Sequence, residues 1–177
     1  AKQVARSLFL MSRHRGALAV YEQILTAGVR DWHILHNMGV CYSFIDQLER
    51  AEQCLEEALG LHKHDVTYLQ LGKVLLQLGK EEKAIKIYEV ALSLSPENAE
   101  LLTTLGLVHL EMGNTTKAFD LFGSALTYDP RDPTAVMGAG SIIQDFEDYD
   151  VALIKYRVTA VRTPESPEMW NNIGMCF

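Results

Sequence analysis

Residues 101–130 read LLTTLGLVHLEMGNTTKAFDLFGSALTYDP, and the order of small and large residues in that stretch decides the fold. Gly106 is followed seven residues on by Gly113, twelve on by Ala118, sixteen on by Phe122, nineteen on by Ala125 and twenty-four on by Pro130. The same phase recurs along the chain. Gly39, Gly72, Gly106, Gly140 and Gly174 stand 33, 34, 34 and 34 residues apart. Ala51, Ala84, Ala118 and Ala152 come twelve after their glycines, and Leu55, Tyr88, Phe122 and Tyr156 sixteen after. Ala58, Ala91 and Ala125 come nineteen after, where the last full unit has Thr159. Pro96, Pro130 and Pro164 come twenty-four after, where the first full unit has Lys63. A fixed period of this length marks one supersecondary unit, copied and stacked.

Small residues at two fixed positions let neighbouring helices approach closely, and the large residues between them fill the interhelical space. Gly79 and Gly113 stand where the first helix of a pair must end and supply its left-handed cap. Asn98, Asp132 and Ser166 are placed to cap the next helix, with Pro133 and Pro167 in its first turn. The pattern resembles the tetratricopeptide repeat, and the expected fold is an all-α, right-handed superhelical solenoid of antiparallel helix pairs. The units read as 1–31 (partial), 32–64, 65–98, 99–132, 133–166 and 167–177 (first helix only). Both ends cut through a repeat, so the chain reads as one stretch of a longer solenoid. Trp170, Ile173 and Phe177 face inward in that register, with no second helix to follow them.

The formal net charge of −7 argues against nucleic acid or an anionic membrane as the main partner. No apolar run approaches the roughly 18 residues of a membrane span, so direct membrane insertion is not expected. Cys41, Cys54 and Cys176 are odd in number and fit no CxxC spacing, which reads as free thiols in a reducing cytosol.

Reaction chemistry finds no foothold. His33 and His36 lie three apart, and His62 and His64 flank Lys63, but no third ligand has matching spacing, so a solvated surface is the expectation. His109 falls at an interhelical core position. The GAGSII stretch at 138–143 lacks the third glycine of a dinucleotide loop and follows no strand pattern. There is no phosphate-binding loop, nucleophile elbow or HExxH motif, and no catalytic, metal or cofactor residue is expected.

The concave face is more informative. Positions three before, one after and four after each ladder glycine line it in this repeat class. In the full units they are His36, Val40 and Ser43, then Leu69, Lys73 and Leu76, then Thr103, Leu107 and Leu110, then Met137, Ser141 and Gln144. Lys2, Arg6 and Phe9 extend the rows at one end, Asn171 and Met175 at the other. Eight of these seventeen are apolar, more than an open groove facing only water would carry, which predicts that it buries side chains of an extended protein segment. Packing of Leu76 and Leu110 within their own repeats is the competing explanation. Asp145, Glu147, Asp148 and Asp150 form a run without a base in a tight interhelical turn. The run reads either as a solvated turn or as a docking patch for a basic surface.

A carboxylate clamp of the co-chaperone kind needs Lys three before and Asn one after the first ladder glycine; His36 and Val40 stand there, and only Lys73 hints at it. An asparagine ladder two before the glycine is broken, reading Asn37, Gln70, Thr104, Gly138 and Asn172. The stretches PENAELLTTLGLVHLEMG (96–113), KAFDLFGSALTYDP (117–130), DVALIKYRV (150–158) and PESPEMWNNIGMCF (164–177) resemble the Bardet–Biedl syndrome protein 4 family, tetratricopeptide subunits of the BBSome. The likeness is most specific from Pro96 onward; residues 1–63 match as repeats. It implies a non-enzymatic scaffold in a coat that carries membrane proteins into and out of cilia and serves cilium assembly. Its implied partners are other BBSome subunits, with an extended subunit in the groove, and centriolar-satellite and dynein–dynactin proteins. Its implied place is the cytoplasm, cilium, basal body and centrosome. A peptide-clamp co-chaperone and the targeting arm of a larger enzyme are the alternatives.

Overall fold

The computed structural model describes residues 1–161 and 164–177. Eleven helices, and no strand, occur among them: α1 Lys2–Leu10, α2 His14–Thr26, α3 Trp32–Phe44, α4 Leu48–Leu61, α5 Asp65–Gln77, α6 Glu81–Leu94, α7 Ala99–Glu111, α8 Thr115–Tyr128, α9 Pro133–Asp145, α10 Tyr149–Ala160 and α11 Pro167–Met175. They form two compact units, Ala1–Ala91 and Leu92–Phe177.

The ladder glycines are explained by their partners sixteen residues on. A Cβ on Gly39 would stand 2.5 Å from Leu55, and one on Gly106 would stand 2.7 Å from the Phe122 ring. Gly72 is likewise covered by the ring of Tyr88, and Gly140 by that of Tyr156. Each large residue therefore lies flat on the first helix of its own pair, and only hydrogen leaves room for it. Phe122 meets two such surfaces, because Gly138 of the following helix also presses on its ring. Leu55, Tyr88, Phe122, Tyr156 and the alanines flanking them are fully buried.

The helix ends follow the side chains expected of them. Asn98 accepts from the Leu101 amide at 3.1 Å, Asp132 from the Thr134 amide at 2.9 Å, and Ser166 from the Met169 amide at 3.2 Å. Asp31 does the same for α3, through the His33 amide at 3.1 Å. Gly79 and Gly113 adopt φ of +70° and +77° after α5 and α7. The equivalent turns after α1, α3 and α9 hold Ser12, Asp46 and Glu147 at φ of +57°, +62° and +63°. These side chains accept the left-handed region at a local cost, so the turn geometry is dictated by the packed helix pair and not by the turn residue.

In the first unit, Leu55, Leu71, Val74, Leu75 and Tyr88 are wholly buried. In the second, one core gathers Leu102, Phe122, Ala135 and Ile142, and another gathers Tyr156, Met169 and Ile173. His109 is buried, as its core position predicts. The inward register of α11 holds only in part: Ile173 is buried, whereas Trp170 and Phe177 are exposed, and the Trp170 indole donates to the Pro164 carbonyl at 2.7 Å.

Candidate functional site

The concave-face positions divide by burial. In the first unit His36, Val40 and Leu76 are half-buried and Lys73 is exposed. The His36 imidazole lies 3.0 Å from the Thr67 hydroxyl, which ties α3 to α5. Burial, with the His64 and His33 charges adding to it, holds the His36 pKa down to about 4, so this ring is neutral at physiological pH. In the second unit Leu107, Leu110, Met137, Ser141 and Gln144 are half-buried. Leu107 and Leu110 pack against the core around Phe122, and Met137 against the core around Tyr156. The Ser141 hydroxyl donates to the Gly138 carbonyl at 2.9 Å, and the Gln144 amide oxygen accepts from the Tyr156 hydroxyl at 3.4 Å.

Two of the expected lining residues require correction. Leu69 is only 4 % exposed and Thr103 only 5 %, so neither offers a side chain to a ligand. Thr103 donates its hydroxyl to Asp132 at 2.6 Å, which fastens α7 to the start of α9. Helical phase places both residues on the first-helix face, but the neighbouring elements stand close enough to cover them.

A cavity of about 530 Å³ opens on the expected face of the first unit, lined by Lys2, Arg6, Phe9, Tyr21, His33 and Asn37 among others. Lys2 pairs with Asp31 at 2.9 Å, and that bond, with help from His33, holds the Asp31 carboxyl down to about 2. Asn37 donates to the Tyr21 hydroxyl at 3.1 Å. Lys2, Asp31, Tyr21 and Asn37 on this rim are thus already paired with one another.

Of the histidines, His33 and His62 are exposed, as expected of a solvated surface, whereas His36 and His64 are half-buried. Trp32 stacks on His33 with ring centres 3.7 Å apart and on His64 at 5.0 Å, with His62 tilted against it at 4.9 Å. No group of three ligating side chains fit for a metal occurs among the described residues. Burial pushes the Cys41 and Cys54 thiols up to about 11, so neither is a thiolate nucleophile near neutral pH.

Asp145, Glu147, Asp148 and Asp150 are all exposed around the α9–α10 turn. Sequence reasoning passed over an ion-pair cluster in the first unit: buried Glu52 accepts from Lys80 and Lys83, each at 2.6 Å, and Lys83 also reaches Glu56 at 2.7 Å. Burial raises the Glu52 pKa, but the two ammonium groups outweigh it and hold the carboxyl below its ordinary value. No helix among the described residues is long and apolar enough to cross a membrane.

Paired helices whose contacts are set by the glycine ladder define a tetratricopeptide-repeat protein, and the fold is the all-α solenoid of that class. Models described as tetratricopeptide repeat match residues 33–64 and 103–167, and one described as TPR repeat matches 72–113. A solved structure of MamA from Desulfovibrio magneticus RS-1 shares the fold at a TM-score of 0.79 and 18 % identity, covering 93 % of this chain and 95 % of its own. Among curated proteins, the mouse BBSome complex member BBS4 is 57 % identical over 99 % of the chain, and its counterpart from Xenopus tropicalis is 53 % identical over the same share. The chain belongs to the BBS4 family and spans about a third of the length of these relatives, 34 % of each.

Proposed function

We propose that this stretch is a non-enzymatic scaffold within a BBSome subunit, and that its first helices hold an extended segment of another subunit. The supporting observation is a set of half-buried apolar side chains, Val40, Leu76, Leu107, Leu110 and Met137, on the first helix of successive pairs. Leu107, Leu110 and Met137 are anchored against buried cores, and all five keep part of their surface toward solvent, so a partner gains apolar contact without the scaffold unfolding. The setting in which we place this scaffold is assembly of the coat, traffic of membrane proteins to the cilium, cilium assembly, and action at the basal body and centrosome, and kinship with BBS4 supports that reading. Centriolar-satellite and dynein–dynactin proteins belong to the same proposal as further partners.

The test uses the full-length protein carrying Leu107→Lys and Met137→Lys. A lysine stem lies along apolar surface while its charge stays in water, so these half-buried sites tolerate the change. Co-purification of the other BBSome subunits should fall at least tenfold while helix content and unfolding midpoint stay within a small margin of the unmodified protein. Full recovery of those subunits by the doubly substituted protein contradicts the groove.

A further inference from the structure

The outer face of α10 differs from those of α4, α6 and α8. Four outward positions recur, one before and two, six and nine after the repeat alanine. They read Arg50, Gln53, Glu57 and Gly60 on α4, and Lys83, Lys86, Val90 and Ser93 on α6. On α8 they read Lys117, Asp120, Ser124 and Thr127. At the end of the series they are Val151, Ile154, Val158 and Val161. All sixteen are exposed. Val151, Ile154, Val158 and Val161 are between 39 % and 81 % exposed. The polar members on α4 and α8 remain exposed although each of those helices packs against both the helix before it and the helix after it. Exposure at these positions therefore belongs to the repeat geometry, and a following repeat does not cover them.

Two features adjoin the stripe. A cavity of about 310 Å³ opens between α8, α9 and α10, lined by Phe119, Leu126, Val136, Ala139, Ile143 and Lys155 among others. Lys155 stands four after Val151 and three before Val158, so cavity and stripe share one side of the helix. At the N-terminal end of α10 the exposed Asp145, Glu147, Asp148 and Asp150 enclose Phe146, which is 76 % exposed. An aliphatic stripe from Val151 to Val161 is about 15 Å long at the rise of an α-helix, the length of about three turns of a partner helix laid along it.

We infer that the outer face of α10 is a docking surface for an amphipathic α-helix of a partner protein. That helix carries apolar residues at three- and four-residue spacing, sends one large side chain toward the cavity, and bears Lys or Arg at the end lying over the acidic turn. Charge complementarity selects this occupant: four carboxylates in six residues favour a basic terminus and repel an anionic lipid surface. The face is separate from the groove on the first helices, so it stands or falls apart from the function proposed above.

The experiment places a photo-crosslinking amino acid at Ile154 or Val158, and for comparison at Asp120 or Ser124, in the full-length protein within its assembled complex. Mass spectrometry reads the adducts. Adducts at 154 and 158 should exceed those at 120 and 124 by at least tenfold. The captured segment should show helical apolar spacing and end within about two turns in Lys or Arg. The triple variant Glu147→Gln, Asp148→Asn, Asp150→Asn should cut the yield at least threefold. Yields equal to those at 120 and 124 overturn the assignment. So does an adduct to lipid, to a second copy of this protein, or to a segment lacking the apolar spacing or the basic end.

Discussion

Thirteen residues after the ladder glycine, the first unit carries Glu52 and the second carries Phe119. Eight and eleven after the next ladder glycine, the first unit has Lys80 and Lys83, where the second has Asp148 and Val151. One backbone period thus presents two chemistries. Glu52 is 7 % exposed and gripped by both lysines, so its carboxylate is satisfied within the first unit. Phe119 is 41 % exposed and lines an open cavity. The glycine ladder fixes how helices meet in both units, while the residues off the ladder are free to specialise, one region toward self-support and the other toward an apolar surface.

The ladder itself should break both regions alike. Gly72→Ala and Gly106→Ala each drive a methyl group into a buried ring, and each should cost about 1–3 kcal/mol, read as a drop in the urea midpoint of helix content. Gly174→Ala meets open space, so it should be neutral or stabilise by up to about 1 kcal/mol. Equal losses at all three sites would refute the packing explanation.

The next effect separates the units. Glu52→Ala should cost about 1–3 kcal/mol by removing hydrogen bonds to charged groups. Phe119→Ser, at a half-exposed site, should stay under about 1 kcal/mol in the same assay. The Glu52 carboxyl titrates below its ordinary value, so its contribution is present at neutral pH and is lost as pH falls through the carboxylate range.

A further loss should begin earlier on acidification. His36 titrates at about 4 when folded, against 6.5 for a free imidazole, so the unfolded chain takes up the proton first. Stability that is complete above pH 6.5 should decline from there down to about pH 4, and His36→Asn should flatten that segment of the curve. A midpoint that does not move between pH 7 and pH 5 in the unmodified protein would count against a neutral, buried His36.

The least effect should be a gain. Glu147 holds a left-handed turn that Gly113 holds elsewhere without strain, so Glu147→Gly should stabilise by a few tenths to about 1 kcal/mol. A loss on that substitution would show that the side chain does more than occupy the turn.

Much of this was legible in the amino-acid order because repeats make packing periodic. The glycines, their partners sixteen on, and the caps at Asn98, Asp132 and Ser166 are local in sequence and recur in phase. Ser12, Asp46 and Glu147 were legible too, since each stands in phase with Gly79 and Gly113, but residue type alone hides a left-handed turn. Glu52 with Lys80 and Lys83, and Trp32 with His62 and His64, were not legible, because these pairs join different helices about thirty residues apart and obey no period. Leu69 and Thr103 misled for a related reason: helical phase says which face a residue occupies, and only the distance to the neighbouring elements says whether that face is open. The aliphatic face of α10 needed a comparison between repeats at positions where the consensus is silent.

If the first helices of these pairs hold a partner segment, amide hydrogen exchange of the full-length protein should differ between its free and assembled forms. Exchange in α7 and α9 should slow at least tenfold on assembly into the BBSome, and the slowing should be lost in the Leu107→Lys, Met137→Lys protein. Equal exchange in those two helices in the free and assembled states would rule out a segment held there.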